Sequence, residues 1–243
     1  MDLSIVIPAH NEGRFIESCI KSISEHCALF RIDPEVVVVL NRCTDSTGEI
    51  AKRSGAKLVD NNSRNLASIR NTGIRAAKSD VIITIDADSI ITSEYLSDFI
   101  DNIGSGKFIG GGTHVDFNRK SLGITATKMV LDLYVTLSGL SCGSFWFYRN
   151  YYDEIDGFNE NLHFGEDIDF AKRLRNLGKL KNLKYGISGK IITSARKFDK
   201  YGDWYFFKLI AFKRKTIKGS ITGKDLTFVN DYFYDFNNEG PVD

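Results

Sequence analysis

The chain contains the stretch Val81-Ile82-Ile83-Thr84-Ile85-Asp86-Ala87-Asp88, in which an apolar, β-branched run ends in two carboxylates one residue apart. Such a run is typical of a strand buried on both faces, as in a parallel sheet covered by helices, whose ligands bind beyond the carboxyl ends of the strands. If the chain is still extended there, Asp86 and Asp88 point to the same side. Two carboxylates so placed suit Mg²⁺ or Mn²⁺ bound to a diphosphate, although an isolated Asp-x-Asp is more often a solvated strand end or turn.

Composition limits the class of protein. A length of 243 residues fits one large α/β domain or two small ones, and a formal net charge of +1 argues against an obligate nucleic-acid binder. The first residues enter an apolar strand rather than a secretory signal, and no apolar run is long enough to span a bilayer. Four cysteines without metal-finger spacing are too few for a disulfide framework. We therefore expect reduced thiols in a cytoplasmic protein.

Two strand-turn-helix units open the chain. A buried-strand pattern over Leu3–Ile7 stops at Pro8 and leads to a polar turn in which Asn11 is placed to cap the following amphipathic helix. A second buried strand, Glu35–Leu40, is followed by another polar turn, Asn41–Thr47. Polar turns after successive parallel strands lie at the same edge of the sheet, so this edge is the predicted nucleotide crevice.

Later segments supply further polar and apolar signals. Arg70 lies on a predicted helix, where it offers a fork of donors to a phosphate or is merely solvated. Glu166 and Asp167 open another helix, where carboxylates are ordinarily dipole partners but can also accept a proton. The aromatic run over 145–148 is predicted to lie in the core. One further helix carries apolar residues on a single face, namely Leu122, Ala126, Met129, Val130, Leu133 and Leu137.

Taken in order, six short motifs resemble those of family 2 glycosyltransferases of the GT-A fold. They are Ile5-Val6-Ile7-Pro8-Ala9-His10-Asn11-Glu12, Cys43-Thr44-Asp45-Ser46-Thr47, Arg70-Asn71-Thr72-Gly73, Asp86-Ala87-Asp88, Gly157-Phe158 and Glu166-Asp167. Their joint occurrence, over roughly residues 3 to 200, is far more specific than any one of them. The resemblance implies an α/β fold with a mostly parallel central sheet flanked by helices. It implies one GT-A domain over 1–243, with the nucleotide-sugar donor half at about 1–118 and the acceptor half plus a C-terminal extension at about 119–243.

The resemblance also implies a reaction, the inverting transfer of one sugar from a UDP- or GDP-sugar to a hydroxyl acceptor. Mn²⁺ or Mg²⁺ would be held by Asp88, with Asp86 nearer the ribose or in the metal shell, and would stabilise charge that develops on the diphosphate. Asp167 would be the general base, and Glu166 would orient it or touch the donor sugar.

By the same resemblance, donor-binding residues come from several loops: Pro8, Ala9, Asn11, Glu12, Asn41, Asp45, Arg70, Asp86 and Arg196. Asn41 stands where many relatives carry a carboxylate that reads the pyrimidine, and its amide can still donate to and accept from a base edge. Asp45 binds the donor or is only the cap of its helix. Arg196 or Lys197 would lie near the diphosphate. Arg70 would reach the base or the diphosphate.

The acceptor is less constrained, and a lipid-linked or saccharide hydroxyl fits equally. The glutamine-to-Arg-Trp signature of processive relatives is missing, which predicts a single transfer. In Trp204–Lys218, aromatic residues alternate with basic ones. This pattern is typical of a peripheral contact with the inner face of a membrane, and equally of a core-facing helix with a solvated basic end.

Two other classes of function remain as alternatives. A sugar-1-phosphate nucleotidyltransferase should carry a glycine-rich, basic loop after the first strand, where this chain has Pro8–Glu12. A non-catalytic sugar-nucleotide-binding module would be expected to lose a carboxylate, yet both acidic pairs are present. Both alternatives are therefore weaker than the transferase.

Overall fold

The computed structural model describes residues 1–141, 143–212 and 227. Within them, the strands are β1 Leu3–Ala9, β2 Glu35–Leu40, β3 Lys57–Asp60, β4 Val81–Thr84, β5 Ser89–Ile90, β6 Phe108–Phe117, β7 Phe145–Tyr148 and β8 Lys184–Thr193. The helices are α1 Ile16–Leu29, α2 Thr47–Arg53, α3 Leu66–Ala76, α4 Ser93–Gly104, α5 Leu122–Ser138, α6 Arg149–Glu154, α7 Glu166–Leu180, α8 Arg196–Tyr201 and α9 Tyr205–Phe212. None of the helices so described is long and apolar enough to cross a membrane.

Over the described residues, the strands form one eight-stranded sheet in the order β3-β2-β1-β4-β7-β6-β8-β5. Four neighbouring pairs are parallel, and the three pairs that involve β7 or β5 are antiparallel. The α/β class and the mostly parallel sheet predicted from the sequence are thus confirmed. In this sheet β7 and β8 of the predicted acceptor half alternate with β4, β6 and β5 of the predicted donor half, so the two halves share one sheet.

Both faces of the sheet are buried, as the continuous apolar strands predict. Alternate residues of β1 enter opposite cores: Ile5 and Ile7 pack on the side of α1 and α4, whereas Val6 packs on the side of α3 and α7. The aromatic run of β7 divides in the same way, with Trp146 on the first side and its two phenylalanine neighbours on the second. All three rings are fully buried, which confirms the predicted core position.

One glycine lets α3 approach the sheet closely. A Cβ atom at Gly73 would lie 2.6 Å from Val39 Cγ2 and closer still to Val6 Cγ1. These distances are well inside van der Waals contact, so a side chain at this position would push the helix outward. The close fit fixes the position of Arg70, one turn earlier on the same helix.

The structure decides one local alternative and overturns one local prediction. The strand that precedes the acidic pair ends at Thr84, and the Ser89 N–H donates to the Asp86 carbonyl at 3.0 Å, so Asp86 and Asp88 lie in a turn and not along an extended strand. The turn is needed because β5 pairs with β8, more than 100 residues later in the chain. Asn11 does not cap α1, which begins at Ile16. Its φ of 51° turns it toward the next loop, where its side chain accepts from the Thr44 N–H at 2.8 Å.

Candidate active site

The carboxyl ends of β1, β2 and β4 bring their loops to one edge of the sheet, and the segment after β8 joins them there. The Ser194 N–H donates to the Asp88 carbonyl at 3.1 Å, which ties the start of α8 to the turn after β4. The Asn41 N–H donates to the Ala9 carbonyl at 2.8 Å, which ties the loop after β2 to the end of β1. Four chain segments therefore meet where ligands of parallel sheets bind.

A buried arginine joins the two acidic pairs. Arg70 Nη1 lies 2.6 Å from Glu166 Oε1, and Nη2 of the same guanidinium lies 3.2 Å from Asp86 Oδ1. The Arg70 side chain is only 2% exposed, whereas Asp86 is 44% exposed and so faces the open cleft. The β4 turn and the first turn of α7 thus form one site.

The backbone at Gly143 lies near both acidic pairs. A Cβ atom on this residue would lie 4.0 Å from Asp86 Oδ2, and its φ of +93° suits glycine. The Gly143 N–H also bonds to Asp167, whose Oδ1 accepts a further bond from the Ile168 N–H at 2.7 Å. The half-buried Asp167 carboxylate is therefore held in place by backbone donors beside the cleft.

Burial shifts the protonation of the α7 carboxylates. Desolvation raises the pKa of Glu166 to about 7, the neighbouring Asp167 adds to the rise, and Arg70 opposes it. Desolvation also raises the pKa of Asp167, against the effect of Arg70 and of the backbone donors. A carboxylate whose pKa is raised is a stronger proton acceptor once it is ionised.

A second arginine covers Asp88. Arg196 donates through both terminal nitrogens to Glu12, at 2.7 and 2.8 Å, and its Nη2 lies 3.1 Å from Asp88 Oδ2. Its guanidinium stacks 4.8 Å from the centroid of the Phe15 ring. The Thr193 hydroxyl donates to the other Asp88 oxygen at 3.3 Å. Asp88 is thus bonded to side chains of this chain through both oxygens.

Lys197 adds a second cation beside this carboxylate. Burial lowers its pKa to about 8, while Asp88 acts in the opposite direction. Two adjacent cations, one of them with reduced affinity for its proton, form a site that suits a diphosphate.

The acidic residues at this edge fit a metal only in company with a phosphate ligand. Among the described residues, no three His, Cys, Asp or Glu side chains converge as a metal-binding group. Asp86 and Asp88 supply at most two carboxylates. Mg²⁺ and similar ions are commonly held by one or two carboxylates together with substrate phosphates and water, and this donor set matches that arrangement.

Two predicted donor-binding residues connect the loops. Asp45 Oδ2 accepts from the Gly13 N–H at 2.9 Å, and its Oδ1 accepts from the N–H of Thr47 at 3.0 Å, in the first turn of α2. Asp45, one residue before the N-cap Ser46, therefore binds the first N–H of α2 and also fixes the loop that carries Glu12. Asn41 is 1% exposed, and its amide donates to the carbonyls of Asn61 and Ser63 at 2.6 and 2.7 Å. In this structure the Asn41 amide supports the loop after β3 and presents no free donor to a base.

The remaining predicted donor residues lie at the same edge. Pro8 and Ala9 end β1 and are buried, and Asn11 follows them in the loop. Sequence reasoning did not assign Gly143 or Phe15 to the site. Phe15 gave no signal, because its position fits the apolar face of α1. The positive φ at Gly143 could not be predicted, because this residue follows a helix whose end the sequence locates only roughly.

Comparisons with known proteins show the family of this chain. The family model described as "Glycosyl transferase family 2" matches residues 4–167. The chain is 34% identical over 96 residues to the uncharacterized glycosyltransferase EpsJ of Bacillus subtilis, a match that covers 37% of this chain and 27% of EpsJ. The chain therefore matches only about a quarter of that longer protein.

Solved structures with low sequence identity show the fold. The Staphylococcus aureus TarS fragment 1–349 in complex with UDP-GlcNAc superposes with a TM-score of 0.62 at 19% identity, over 81% of this chain and 59% of that chain. The mannosyltransferase PcManGT of Pyrobaculum calidifontis, in complex with GDP-Man and Mn²⁺, superposes with a TM-score of 0.57 at 19% identity, over 77% of this chain and 56% of that one. These neighbours are GT-A enzymes, and the GT-A fold predicted for this chain is confirmed.

Proposed function

Because this chain belongs to glycosyl transferase family 2, we propose that it is an inverting, metal-dependent glycosyltransferase that moves one sugar from a nucleotide-diphosphate donor to a hydroxyl acceptor. The observation that carries the proposal is the pair of bonds from Arg70 to Asp86 and Glu166. These bonds hold Asp86, which is suited to the donor side, and Glu166, which is suited to the acceptor side, at one cleft.

On the donor side, Asp88 and Asp86 are the residues that would hold Mn²⁺ or Mg²⁺. When bound, the ion would neutralise charge that develops on the leaving diphosphate. Arg196 and Lys197 are positioned to contact the same diphosphate, since both already face Asp88. The TarS and PcManGT complexes, with UDP-GlcNAc and GDP-Man, support a nucleotide-sugar donor.

On the acceptor side, Asp167 accepts the proton of the attacking hydroxyl. Its backbone bonds to Gly143 and Ile168 fix its direction, and its raised pKa strengthens it as a base. Glu166, which is bonded to Arg70, holds the first turn of α7 in position. Attack from the face opposite the diphosphate inverts the configuration at the anomeric carbon, and a positioned base typically contributes about 10²- to 10⁴-fold.

The nucleoside is contacted by the loop that follows β1, through Pro8, Ala9, Asn11 and Glu12, with Asp45 fixing that loop. Asn41 acts indirectly, through the loop after β3, and the choice between uridine and guanosine donors is therefore made by other groups. Missing polymerase signatures support a single transfer, and reduced thiols support a cytoplasmic location. Of the predicted membrane stretch Trp204–Lys218, residues 213–218 lie outside the described residues.

A donor screen tests this proposal. The protein is titrated calorimetrically with UDP, GDP and their sugar conjugates in the presence of Mn²⁺, and donor hydrolysis is followed in parallel. We expect one nucleotide class to bind and its sugar conjugate to be turned over, with turnover lost in Asp88→Ala and retained in the control Asp101→Ala, a surface change on α4. Binding without turnover for every donor would instead indicate a non-catalytic binding module.

A further inference from the structure

Helix α5 is turned so that its two charged residues face the protein. The apolar residues that the sequence predicts on one face are largely exposed, with Leu122 84% and Leu137 77% exposed. Lys128 and Asp132 are each only about one-third exposed, although they are the only charged residues over 122–138. This arrangement is the reverse of an ordinary amphipathic helix, whose apolar residues face the core. The charged pair of α5 therefore takes part in a contact with the protein.

The partner of this pair is a histidine on the sheet. His114 of β6 has its Nδ1 2.9 Å from one Asp132 oxygen, and Lys128 donates to the other Asp132 oxygen at 2.5 Å. The His114 side chain is about one-third exposed, so part of its ring faces open space. We call these three residues the His114 cluster. It joins the middle of α5 to the second half of β6.

The bonds of the cluster determine which imidazole nitrogen carries the proton. An ionised carboxylate only accepts hydrogen bonds, so Nδ1 of His114 is the donor to Asp132. Desolvation acts to raise the pKa of Asp132, but the bonds from Lys128 and His114 outweigh it and lower the pKa, which keeps the carboxylate ionised. The other nitrogen, Nε2, makes no hydrogen bond to a residue that the structure describes. Nε2 accepts from a hydroxyl group when the ring is neutral and donates to its oxygen when the ring is charged.

On one side, β6 packs against the loop that holds the proposed base. A Cβ atom at Gly112 would lie 2.6 Å from Ser141 Cβ, so the chain is in close contact there. Gly143, two positions after Ser141, donates its N–H to Asp167. Two residues span at most about 7 Å, so His114, two positions after Gly112, lies close to this contact.

On the other side, β6 ends beside the carboxylate that is proposed to bind the metal. Phe117, three positions after His114, pairs with Thr193 of β8. The Thr193 hydroxyl donates to Asp88 at 3.3 Å. His114 therefore lies on a stretch of β6 whose two ends reach the base side and the donor side of the cleft.

We propose that His114 Nε2 binds a hydroxyl group of the acceptor, and that the acceptor is a saccharide. The inference rests on the proposed transferase function, in which Asp167 takes the proton of the attacking hydroxyl. His114 then contacts a second hydroxyl of the same molecule. A saccharide carries several hydroxyls along its length and reaches both residues, whereas an alcohol with one hydroxyl reaches only one of them. Asp132, held by Lys128, is the positioning residue that sets the direction of the ring.

Two replacements separate this binding role from a purely structural one. An asparagine amide lies near the position of Nδ1, so His114→Asn keeps a donor to Asp132 and loses the group that faces the acceptor. A glutamine amide lies near the position of Nε2, so His114→Gln keeps that group and loses the bond to Asp132. The proposal therefore expects greater damage from asparagine. A cluster that only joined α5 to β6 would be damaged more by glutamine.

The first measurement requires no turnover. Long-range proton–nitrogen NMR spectra of the histidine rings are recorded while the wild type is titrated with methyl hexosides and common disaccharides. The His114 signals are identified by their loss in His114→Asn. We expect this ring to carry its proton on Nδ1 and its signals to shift with at least one of the sugars. The signals of His26, which bonds to Ser22 on α1, should not move.

The second measurement is transfer to the same sugars from the donor that the nucleotide screen selects. We expect His114→Asn to raise the acceptor KM about 10-fold, the effect of one lost hydrogen bond, with donor hydrolysis and nucleotide affinity unchanged. His114→Gln should raise the KM less, and His26→Asn, the matched control, should leave it unchanged.

Three results would overturn the proposal: a His114 signal that no sugar moves, an acceptor KM that is unchanged in His114→Asn, or transfer to n-propanol as efficient as transfer to the sugars. A larger loss in His114→Gln than in His114→Asn would assign the cluster to structure alone. Absence of donor hydrolysis in the wild type would instead refute the proposed transferase function, while the NMR titration would still decide whether His114 meets a sugar.

Discussion

Arg196 holds the residue that is proposed to bind the metal. Its bonds to Glu12 and Asp88 place the guanidinium beside the carboxylate that would bind the divalent ion. The guanidinium and the ion would therefore bring two positive charges to the same place. A diphosphate offers the guanidinium stronger acceptors, so donor binding should draw Arg196 away and free Asp88. Metal binding should therefore depend on the nucleotide.

This dependence can be measured with the electron paramagnetic resonance signal of free Mn²⁺. Without nucleotide we expect weak Mn²⁺ binding by the wild type and several-fold tighter binding by Arg196→Ala, because Asp88 loses its competing cation. Arg53→Ala, a surface change on α2, is the control. Equal nucleotide-free affinity in Arg196→Ala and wild type would show that Arg196 does not compete with the ion.

The raised pKa of Glu166 predicts a pH dependence of stability. Its pKa rises from the ordinary 4.5 to about 7 on folding, so in this range the folded chain binds a proton that the unfolded chain releases. Stability from this group is thus greatest below pH 4.5 and falls as the pH rises to about 7. One pKa unit corresponds to about 1.4 kcal/mol, so the loss over this range is at most about 3 to 4 kcal/mol.

Urea unfolding of the wild type and Glu166→Gln across this range isolates the effect from other titrating groups. The free energy of unfolding of the wild type, minus that of the variant, should decrease with rising pH. An increase would mean that the ion pair with Arg70 outweighs burial.

Residue identities at the site were largely predictable, because carboxylates and arginines in ordered motifs point to one chemistry. Their partners were not. Glu12 and Arg196 are 184 positions apart, and no local pattern links them. The partner of Asn41 could not be predicted either. Its amide could have bonded to a nucleotide base or to the protein backbone, and the position of the loop after β3 determines which of the two it meets.

At the scale of elements, the close packing of α3 gives a direct prediction. Gly73→Ala would place a methyl group against Val6 and Val39, so α3 must move away from the sheet. Overpacking of this kind typically costs about 1–3 kcal/mol. Since α3 carries Arg70, activity should fall together with stability.

Urea denaturation of Gly73→Ala measures the loss, and Gly104→Ala is the matched control. Gly104 also lies on a helix, but its added Cβ has no atom within 4 Å beyond its chain neighbours and the nearby backbone of its own helix. A Gly73→Ala variant as stable as the control would show that the sheet relaxes around the methyl group.

Elements with strong local patterns were predicted well, including β1, β2, α3 and α7. Failures came where long-range pairing decides the local structure. The turn at Asp86–Asp88 exists because β5 pairs with β8. The antiparallel direction of β7 between β4 and β6 cannot be predicted from the residues of β7 itself. The apolar arc of α5 was predicted as a pattern, but periodicity does not say which way an arc faces.

For the whole molecule, one sheet extends across the predicted donor and acceptor halves. The acidic pairs approach each other because their elements, β4 and α7, pack against this common sheet, and Arg70 from α3 closes the gap between them.

The central claim is that the two acidic pairs form one transfer site in which Asp167 accepts the proton. Its most direct test is the transfer rate of Asp167→Asn, with donor affinity measured in the same preparation and Asp169→Asn, two residues further along α7, as the control. We predict donor affinity within about 3-fold of wild type and transfer reduced by at least about 10²-fold in Asp167→Asn only. Transfer at the wild-type rate in Asp167→Asn would contradict the claim.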